Sequence, residues 1–185
     1  MRFKEFLRTV NSDLFRYEGK QGMKAFVRAL FICPGFKYTY LMRLCSFIDG
    51  SLIAFPFLVL LENYKVKYGI SISHKTKIGE GFYIGHFGCI VVHPKAIIGR
   101  NCNISHEVTI GKKNRGKKEG YPMLGDNVYI APGVKIIGSV KIGNGVAIGA
   151  NSVVTDDLDD NAVAVGIPAK VISKKGSEGY VNNRI

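Results

Sequence analysis

Apolar residues return at every sixth position through the second half of the chain. The repeated positions from residue 124 onward hold Leu124, Ile130, Ile136, Ile142, Ile148 and Val154. Small or β-branched residues stand four places later in each hexad, as at Val128, Val134, Val140, Val146 and Ser152. An α-helix would repeat its apolar residues at intervals of three and four, so a strict period of six excludes a helix. The pattern predicts a solenoid, in which each coil buries its apolar side chains by stacking on its neighbours.

The same rhythm is present earlier in the chain. It runs through Ile72, Ile78 and Ile84, and then through Val92, Ile98, Ile104 and Ile110. Three hexads make one triangular coil, so residues about 18 positions apart are expected to stack on one another.

Two interruptions of the rhythm mark candidate functional segments. Ile84 and Val92 are eight positions apart, which predicts a bulge within residues 85–91. Ile110 and Leu124 are fourteen positions apart, which predicts a loop over residues 111–123 that is extruded from the solenoid. Loops carried by a rigid scaffold often hold functional residues. The alternative is a surface insertion that the fold merely tolerates.

Residues 1–68 are predicted to form a helical domain. Asn11-Ser12-Asp13 offers caps for a first helix that begins at Leu14, and three further helices are expected over residues 22–32, 36–48 and 51–68. The chain is therefore divided into a helical domain (1–68), a β-helix (69–172) and a tail (173–185). The predicted fold class is mainly β.

The apolar run at residues 52–61 bears on location. It has ten residues, whereas a helix needs about 20 to cross a bilayer. Burial against a neighbouring subunit or the first coil is expected, and peripheral contact with a membrane is the alternative. The first residues lack the apolar core of a signal peptide, and the four cysteines lack CxxC spacing. A cytoplasmic protein with reduced thiols is expected, with the inner face of the membrane as the alternative location.

The composition is basic, with 26 Lys and Arg against 14 Asp and Glu, a net charge of +12. Such a balance suggests an anionic partner. No nucleic-acid-binding motif is present, so nucleic acid is not expected. A phosphorylated cofactor or anionic lipid headgroups explain the charge as well, and so do solvated surface lysines.

Four stretches carry a family resemblance. They are Ile78–His86 (IGEGFYIGH), Val108–Gly111 (VTIG), Val165–Ile172 (VGIPAKVI) and Pro34–Leu44 (PGFKYTYLMRL). With the hexads, they resemble the serine acetyltransferase branch of the hexapeptide-repeat, left-handed β-helix acyltransferases. The resemblance implies a left-handed parallel β-helix, a homotrimer, and acetyl-CoA as co-substrate in the cleft between adjacent prisms. No metal is implied.

The departures from that branch concern the acceptor. Gly85 stands where those enzymes have an aspartate before the histidine, and Ser71 stands where they have an aspartate fifteen residues upstream of it. Residues 120–122 (Gly-Tyr-Pro) replace their arginine-histidine-proline. The charged groups that would hold an amino acid are therefore missing at these positions.

The predicted activity follows from these departures. The pattern around His86 and Ser105-His106-Glu107 looks more like acetyltransferases encoded with capsule and exopolysaccharide genes. We therefore expect an acetyl-CoA-dependent O-acetyltransferase that modifies a sugar hydroxyl in surface polysaccharide biosynthesis. Serine O-acetylation for cysteine biosynthesis is the alternative, and a catalytically silent hexapeptide-repeat scaffold is the non-enzymatic one.

The resemblance also assigns residues to the site. His86 matches the general base, and His106, one coil above, assists it or replaces it. Acceptor contacts are expected from Ser71, Gly85 and Tyr121. The residues expected along acetyl-CoA are Gly111, Lys112, Lys113, Ala131, Gly149, Lys170 and Lys174. A zinc site would need more ligands than His86 and His106.

Overall fold

Four helices precede the β-structure in the computed structural model, which describes residues 2–185. They are α1 (Phe3–Glu18), α2 (Met23–Ile32), α3 (Pro34–Phe47) and α4 (Ala54–Tyr68). Helix α1 begins eleven residues before the predicted start at Leu14, so the predicted caps Asn11-Ser12-Asp13 lie inside the helix. The physical reason is that the Ser12 and Asp13 side chains bond to the β-structure, to Glu80 and Phe82, instead of to their own helix.

Fifteen short strands follow the helices. They are β1 (Ile70–Ile72), β2 (Lys77–Ile78), β3 (Tyr83–Ile84), β4 (Ile90–Val92), β5 (Ile97–Ile98), β6 (Asn103–Ile104), β7 (Thr109–Gly111), β8 (Met123–Leu124), β9 (Tyr129–Ile130), β10 (Lys135–Ile137), β11 (Lys141–Ile142), β12 (Ala147–Ile148), β13 (Val153–Val154), β14 (Val163–Val165) and β15 (Lys170–Ser173).

The strands form three parallel sheets that make the sides of a prism. Sheet A has the order β1-β4-β7-β10-β13, sheet B the order β11-β8-β5-β2, and sheet C the order β15-β14-β12-β9-β6-β3. Lys135 pairs with Val153, which confirms the expected stacking of residues eighteen positions apart. Only β15 runs antiparallel, on β14. A parallel β-solenoid of about five coils behind a helical region confirms the predicted fold class.

The prism interior is filled by the hexad residues. Ile130, Ile136 and Ile148 have no exposed surface, and Leu124 and Ile142 are at most 4% exposed. Because every coil adds the same apolar side chain at the same corner, the core continues through the stack without a break.

Glycine is required at one corner of the prism. Gly79, Gly99, Gly125 and Gly143 each follow a strand of sheet B and lie one above the other. A Cβ atom on Gly99 would lie 2.4 Å from the carbonyl oxygen of Gly125. Backbone segments therefore approach at this corner more closely than any side chain allows.

The two interruptions of the rhythm appear as extra segments between strands. Residues 85–89 bulge between β3 and β4, and residues 112–122 leave the prism between β7 and β8. Lys113 and Gly120 pair as an antiparallel bridge, so the second segment is a hairpin. The Lys118 ammonium contacts the Asp157 carboxylate at 2.6 Å and attaches the hairpin to a higher coil.

The first coil has an open lower edge, which side chains of α1 and α3 cover. The Tyr38 hydroxyl donates to the carbonyl of Ile72 and accepts from its N–H. The Tyr17 hydroxyl makes the same two contacts with Ile84. These hydroxyls take the place that a preceding strand would occupy in sheets A and C.

A buried ion pair completes this cover beneath sheet B. The Arg43 guanidinium donates to the carbonyls of Ile78 and Gly79 and lies 2.9 Å from the Asp13 carboxylate. The same carboxylate accepts from the N–H of Phe82. Burial raises the pKa of Asp13, while the charge and hydrogen bonds of Arg43 act in the opposite direction. The pair is nearly inaccessible, with the Asp13 side chain 1% exposed.

The apolar run at residues 52–61 is only partly covered within one chain. Leu61 is buried, whereas Leu52 is 96% and Phe55 73% exposed. The first coil therefore accounts for a small part of the burial expected for this run. No helix within residues 2–185 combines the length and apolarity needed to cross a membrane.

Replacing Arg43 by Met should destabilise the fold strongly. The substitution leaves the Asp13 carboxylate buried without a counter-ion, which typically costs about 3–5 kcal/mol in the free energy of unfolding. Urea unfolding followed by circular dichroism measures the loss. Arg28→Met is the matched control because Arg28 is exposed and lies 3.9 Å from Glu18, so its loss should cost less than about 1 kcal/mol. Equal effects of the two substitutions would contradict this role of the buried pair.

Candidate active site

His86 and His106 lie on one corner of the prism, where the chain leaves sheet C. Each is the second residue after its strand, β3 or β6. The N–H of Gly85 donates to the carbonyl of Ile104, so the two corner segments stack directly. The imidazole centroids are 5.9 Å apart with an edge-to-face angle of 82°. His86 is exposed and His106 half-buried, so the lower ring is the more accessible one.

A cavity of ≈ 380 Å³ opens beside His86. Helix α1, the outer face of sheet C and the C-terminal segment form its walls. The lining residues are Arg16, Tyr17, Tyr83, Gly85, His86, Asn103, Ser105, Tyr129, Tyr180, Asn182 and Asn183. The lining contains four tyrosines and three asparagines but no acidic side chain. A small polar molecule therefore fits this cavity, with an imidazole at its edge as a candidate base.

The segment 176–185 folds back along sheet C and forms one wall of this cavity. The Ser177 hydroxyl donates to the carbonyl of Asn127 at 2.5 Å, and the Tyr180 ring stacks on Tyr129 at 4.8 Å. The carbonyl of Tyr180 accepts from the Asn103 side chain at 3.0 Å. The sequence predicts only a tail over residues 173–185, and its place in the cavity wall leaves no mark in the hexad pattern.

Arg16 projects from α1 into the base of the cavity and is 4% exposed. Its guanidinium donates to the carbonyls of Asn182 and Gly81 and to the side-chain oxygen of Asn103. All three acceptors are neutral, and no ion pair of the described residues includes Arg16. Burial lowers the pKa of the guanidinium below its usual value.

A second cavity of ≈ 460 Å³ adjoins the other side of His86. Its floor is the close approach of α3 to the first coil, where a Cβ on Gly35 would lie 2.3 Å from the carbonyl oxygen of Ile84. Phe87 and Ile32 make this cavity more apolar than the first. His86 therefore lines both a polar cavity and a more apolar one.

The predicted acceptor residues do not all meet at His86 within one chain. Gly85 adjoins it, whereas Ser71 lies exposed on β1 of sheet A. Tyr121 lies at the corner between sheets A and B, where its ring packs on His93 at 4.5 Å. The ammonium groups of Lys95 and Lys112 approach the same ring at 5.4 and 5.7 Å. Tyr121 therefore belongs to a basic and aromatic cluster apart from the cavity.

The predicted cofactor residues divide between two corners. Ala131 and Gly149 stack above Gly85 and Ser105 on the histidine corner. Gly111, Lys112 and Lys113 begin the hairpin at the other corner of sheet A.

The upper end of the histidine corner brings two more of these residues into one neighbourhood. A Cβ on Gly149 would lie 2.6 Å from the side chain of Val165, whose strand partner is Lys170. The close contact with Val165 is therefore enough to require a glycine at position 149, and no bound ligand is needed to account for it. Lys174 lines a shallow cavity with Lys175 and Tyr180 just beyond β15.

The chain is similar to known proteins in its repeats and along most of its length. Residues 121–156 match the model for the bacterial transferase hexapeptide (six repeats). The serine acetyltransferase of Helicobacter pylori strain J99 is 34% identical over 145 residues, which cover 78% of this chain and 85% of that protein. The serine acetyltransferase of Synechococcus elongatus is 30% identical over 150 residues, which cover 81% of this chain but only 62% of the relative's length.

A solved structure extends the likeness to three dimensions. A serine acetyltransferase in complex with CoA superposes with a TM-score of 0.75 at 25% identity, covering 92% of this chain and 71% of that one. These findings support the left-handed β-helix acyltransferase fold. They contradict the predicted transfer to a polysaccharide sugar, because the relatives are named for serine. That prediction was based on the missing charged residues at Ser71, Gly85 and residues 120–122. Similarity along most of the chain is stronger evidence than these few positions.

Attachment of the hairpin to the prism should depend on Asp157. Its hydrogen bond with Lys118 lowers its pKa, so the contact holds at neutral pH and is lost only as the pH falls through this lowered value. Asp157→Asn should speed tryptic cleavage within residues 112–118 by up to about fivefold, as expected for a half-exposed pair worth about 1 kcal/mol or less. Cleavage at pH 8 is followed by mass spectrometry. Asp156→Asn, which alters a neighbouring carboxylate that makes no lysine contact, should cleave at the wild-type rate; equal rates in all three proteins would contradict the prediction.

Proposed function

Because the chain belongs to the serine acetyltransferase family, we propose that it transfers the acetyl group of acetyl-CoA to the hydroxyl of L-serine. The observation that carries this proposal is the 34% identity to a relative covered over 85% of its length. The histidine beside a polar cavity supports it, since this reaction needs a base next to a site for a small polar acceptor. Transfer to serine was the alternative in the sequence analysis, and it now replaces the sugar acceptor.

The proposed chemistry needs one proton carrier. The imidazole of His86 takes the proton from the serine hydroxyl while the oxygen attacks the thioester carbonyl. The tetrahedral intermediate then collapses and its C–S bond breaks. The CoA sulfur leaves as a thiolate and receives from the His86 imidazolium the proton that came from serine. A positioned histidine typically contributes about 10²–10⁴-fold to such a step. No carboxylate of the described residues bonds to His86, whose ring contacts that of His106 edge to face within one chain.

We assign acetyl-CoA to the histidine corner. The residues stacked above Gly85 there, Ser105, Ala131 and Gly149, are small and leave room for a path along the prism beside the histidines. Acetyl-CoA supplies the activated acetyl group, and the lysines at the hairpin and around β15 offer charges for its phosphates. Lys112 stands at the hairpin, and Lys170 and Lys174 stand near the top of the prism.

A homotrimer remains part of the proposal. It brings the hairpin corner of one chain, with Tyr121 and Lys112, towards the histidine corner of another, and it offers cover for apolar residues such as Phe55 and Val66, which are 73% and 87% exposed. Isolated surface apolar residues are ordinary, but α4 exposes five of them, Phe55, Phe57, Val59, Leu60 and Val66, which favours a covered face in the assembly.

The proposed base is tested by turnover. Purified protein should form O-acetylserine from acetyl-CoA and L-serine, and His86→Ala should lower kcat by about 10²-fold or more because the general base is lost. Thiol release measured with a chromogenic disulfide gives the rate. Retained acetyl-CoA binding in the variant serves as the control for folding.

His106→Ala, assayed in parallel, separates the two histidines. A smaller loss than that of His86→Ala is expected. If His86→Ala kept near-normal turnover while His106→Ala did not, the base would be His106. Absence of O-acetylserine with the wild-type protein would refute the proposed activity and favour the silent scaffold.

The lysines near β15 are expected to hold phosphate groups of acetyl-CoA. A Lys170/Lys174/Lys175→Ala triple variant should raise the KM for acetyl-CoA several-fold, and the difference from wild type should shrink as salt rises, because exposed charges are screened. A Lys4/Lys20/Lys24→Ala triple variant removes the same charge from the helical region and should leave this KM unchanged. Equal KM values for all three proteins at low salt would show that the lysines near β15 do not contact the cofactor.

A further inference from the structure

Two buried arginines of the helical region differ in how their charge is balanced. Arg43 caps carbonyls of the first coil and has Asp13 at 2.9 Å as its counter-ion. Arg16 caps the carbonyl of Gly81 in the same way, yet no carboxylate of the described residues lies within ion-pair distance of it. A buried charge without a partner is costly, so such a charge is usually matched by a counter-ion.

The unbalanced charge lies at the wall of the cavity beside His86. A guanidinium carries five N–H donors, and the bonds to Asn182, Gly81 and Asn103 use one each from Nε, Nη1 and Nη2. One N–H on each terminal nitrogen is therefore free. Free N–H donors on a charged guanidinium suit the oxygens of a carboxylate, which then form charge-assisted hydrogen bonds.

The rest of the cavity lining lacks the acidic side chains that a cation-binding site would have. No aspartate or glutamate lines the cavity. The side-chain amides of Asn103 and Asn183 each donate one hydrogen bond within its wall, to the carbonyls of Tyr180 and Arg16, and each keeps a second N–H. An ammonium group inside it would meet no carboxylate and would lie in the same cavity as the Arg16 guanidinium. The cavity thus favours the negative end of a zwitterion over its positive end.

We propose that Arg16 is an anion subsite that binds the carboxylate of the acceptor, so that the acceptor hydroxyl faces His86. The inference rests on the proposed transfer to serine and names the group by which serine is selected. It also explains how a carboxylate can be held although residues 120–122 lack the arginine found in the related enzymes. The acceptor class is a short hydroxy compound with a carboxylate, whose ammonium group contributes little.

Acceptor analogues test this subsite in the unaltered protein. L-serine, L-serinamide and glycerate differ in one group each: serinamide lacks the carboxylate charge, and glycerate replaces the ammonium by a hydroxyl. Calorimetric titration gives the dissociation constant of each compound. Serine and glycerate should have dissociation constants within about fivefold of each other. Serinamide should bind about 10–100-fold more weakly, the range for a hydrogen-bonded charge. Equal affinity of the protein for serinamide and serine would overturn the inference.

Substitutions locate the effect at Arg16. Arg16→Met should raise the KM for L-serine by about 10–100-fold with a smaller change in kcat, and should leave kcat/KM for serinamide within about threefold. Arg16→Lys, which keeps the charge but loses the fork, should restore part of the preference for the carboxylate. Arg184→Gln is the matched control, since Arg184 is exposed and bonds to the same C-terminal segment at Val181 and Ser177.

The outcomes separate the subsite from the reaction. If serine binds with the expected preference and no acetyl transfer occurs, the proposed function fails and the subsite stands. If serine is acetylated but Arg16→Met lowers kcat/KM for serine and serinamide equally, Arg16 acts only as a structural cap and the inference fails. If Arg16→Met does not fold, equal affinity of the wild-type protein for serine and serinamide still refutes the inference, and the expected preference combined with partial rescue by Arg16→Lys supports it.

Discussion

The open backbone edge of the first coil is the constraint on which the rest of the molecule depends. A parallel β-helix satisfies its backbone by bonding each coil to the next, so the first coil has no predecessor to bond to. Helices α1 and α3 supply those missing bonds: Tyr38 bonds to sheet A, Arg43 to sheet B and Tyr17 to sheet C. Asp13 adds a bond to the N–H of Phe82 between sheets B and C. The helical region is thereby locked to the prism through buried polar contacts, which demand accurate geometry, and not only through apolar packing.

This lock also builds the cavity. Helix α1 must lie close enough for Asp13 and Tyr17 to reach the first coil, and that position brings Arg16, between them in the sequence, over the outer face of sheet C. Arg16 then joins three parts of the chain: the first coil at Gly81, the second coil at Asn103 and the folded-back segment at Asn182. The hydrogen bonds that α1 makes to the backbone of the first coil therefore also place the wall residues beside His86.

The solenoid could be predicted from the sequence because its period is short and each repeat carries its own evidence. His86 and His106 could be related for the same reason, since the number of residues per coil indicates which corners stack. The start of α1 could not be predicted, because Asn11, Ser12 and Asp13 resemble caps until their partners on the first coil are known. Arg16 left only a weak signal, a basic residue between Phe15 and Tyr17 on the buried side of a helix. The folded-back segment left none, because the contacts of Ser177 and Tyr180 join residues some 50 positions apart.

The antiparallel strand β15 has a consequence for how these prisms can assemble. Sheet C would otherwise present the edge of β14 as a template on which the lowest coil of another molecule could add in parallel. Strand β15 occupies that edge in the reverse direction, and lysines at residues 170, 174 and 175 surround it with positive charge. Occupied and charged edges resist the strand addition that leads to fibres. Growth along the prism axis by parallel strand addition is thus blocked at sheet C.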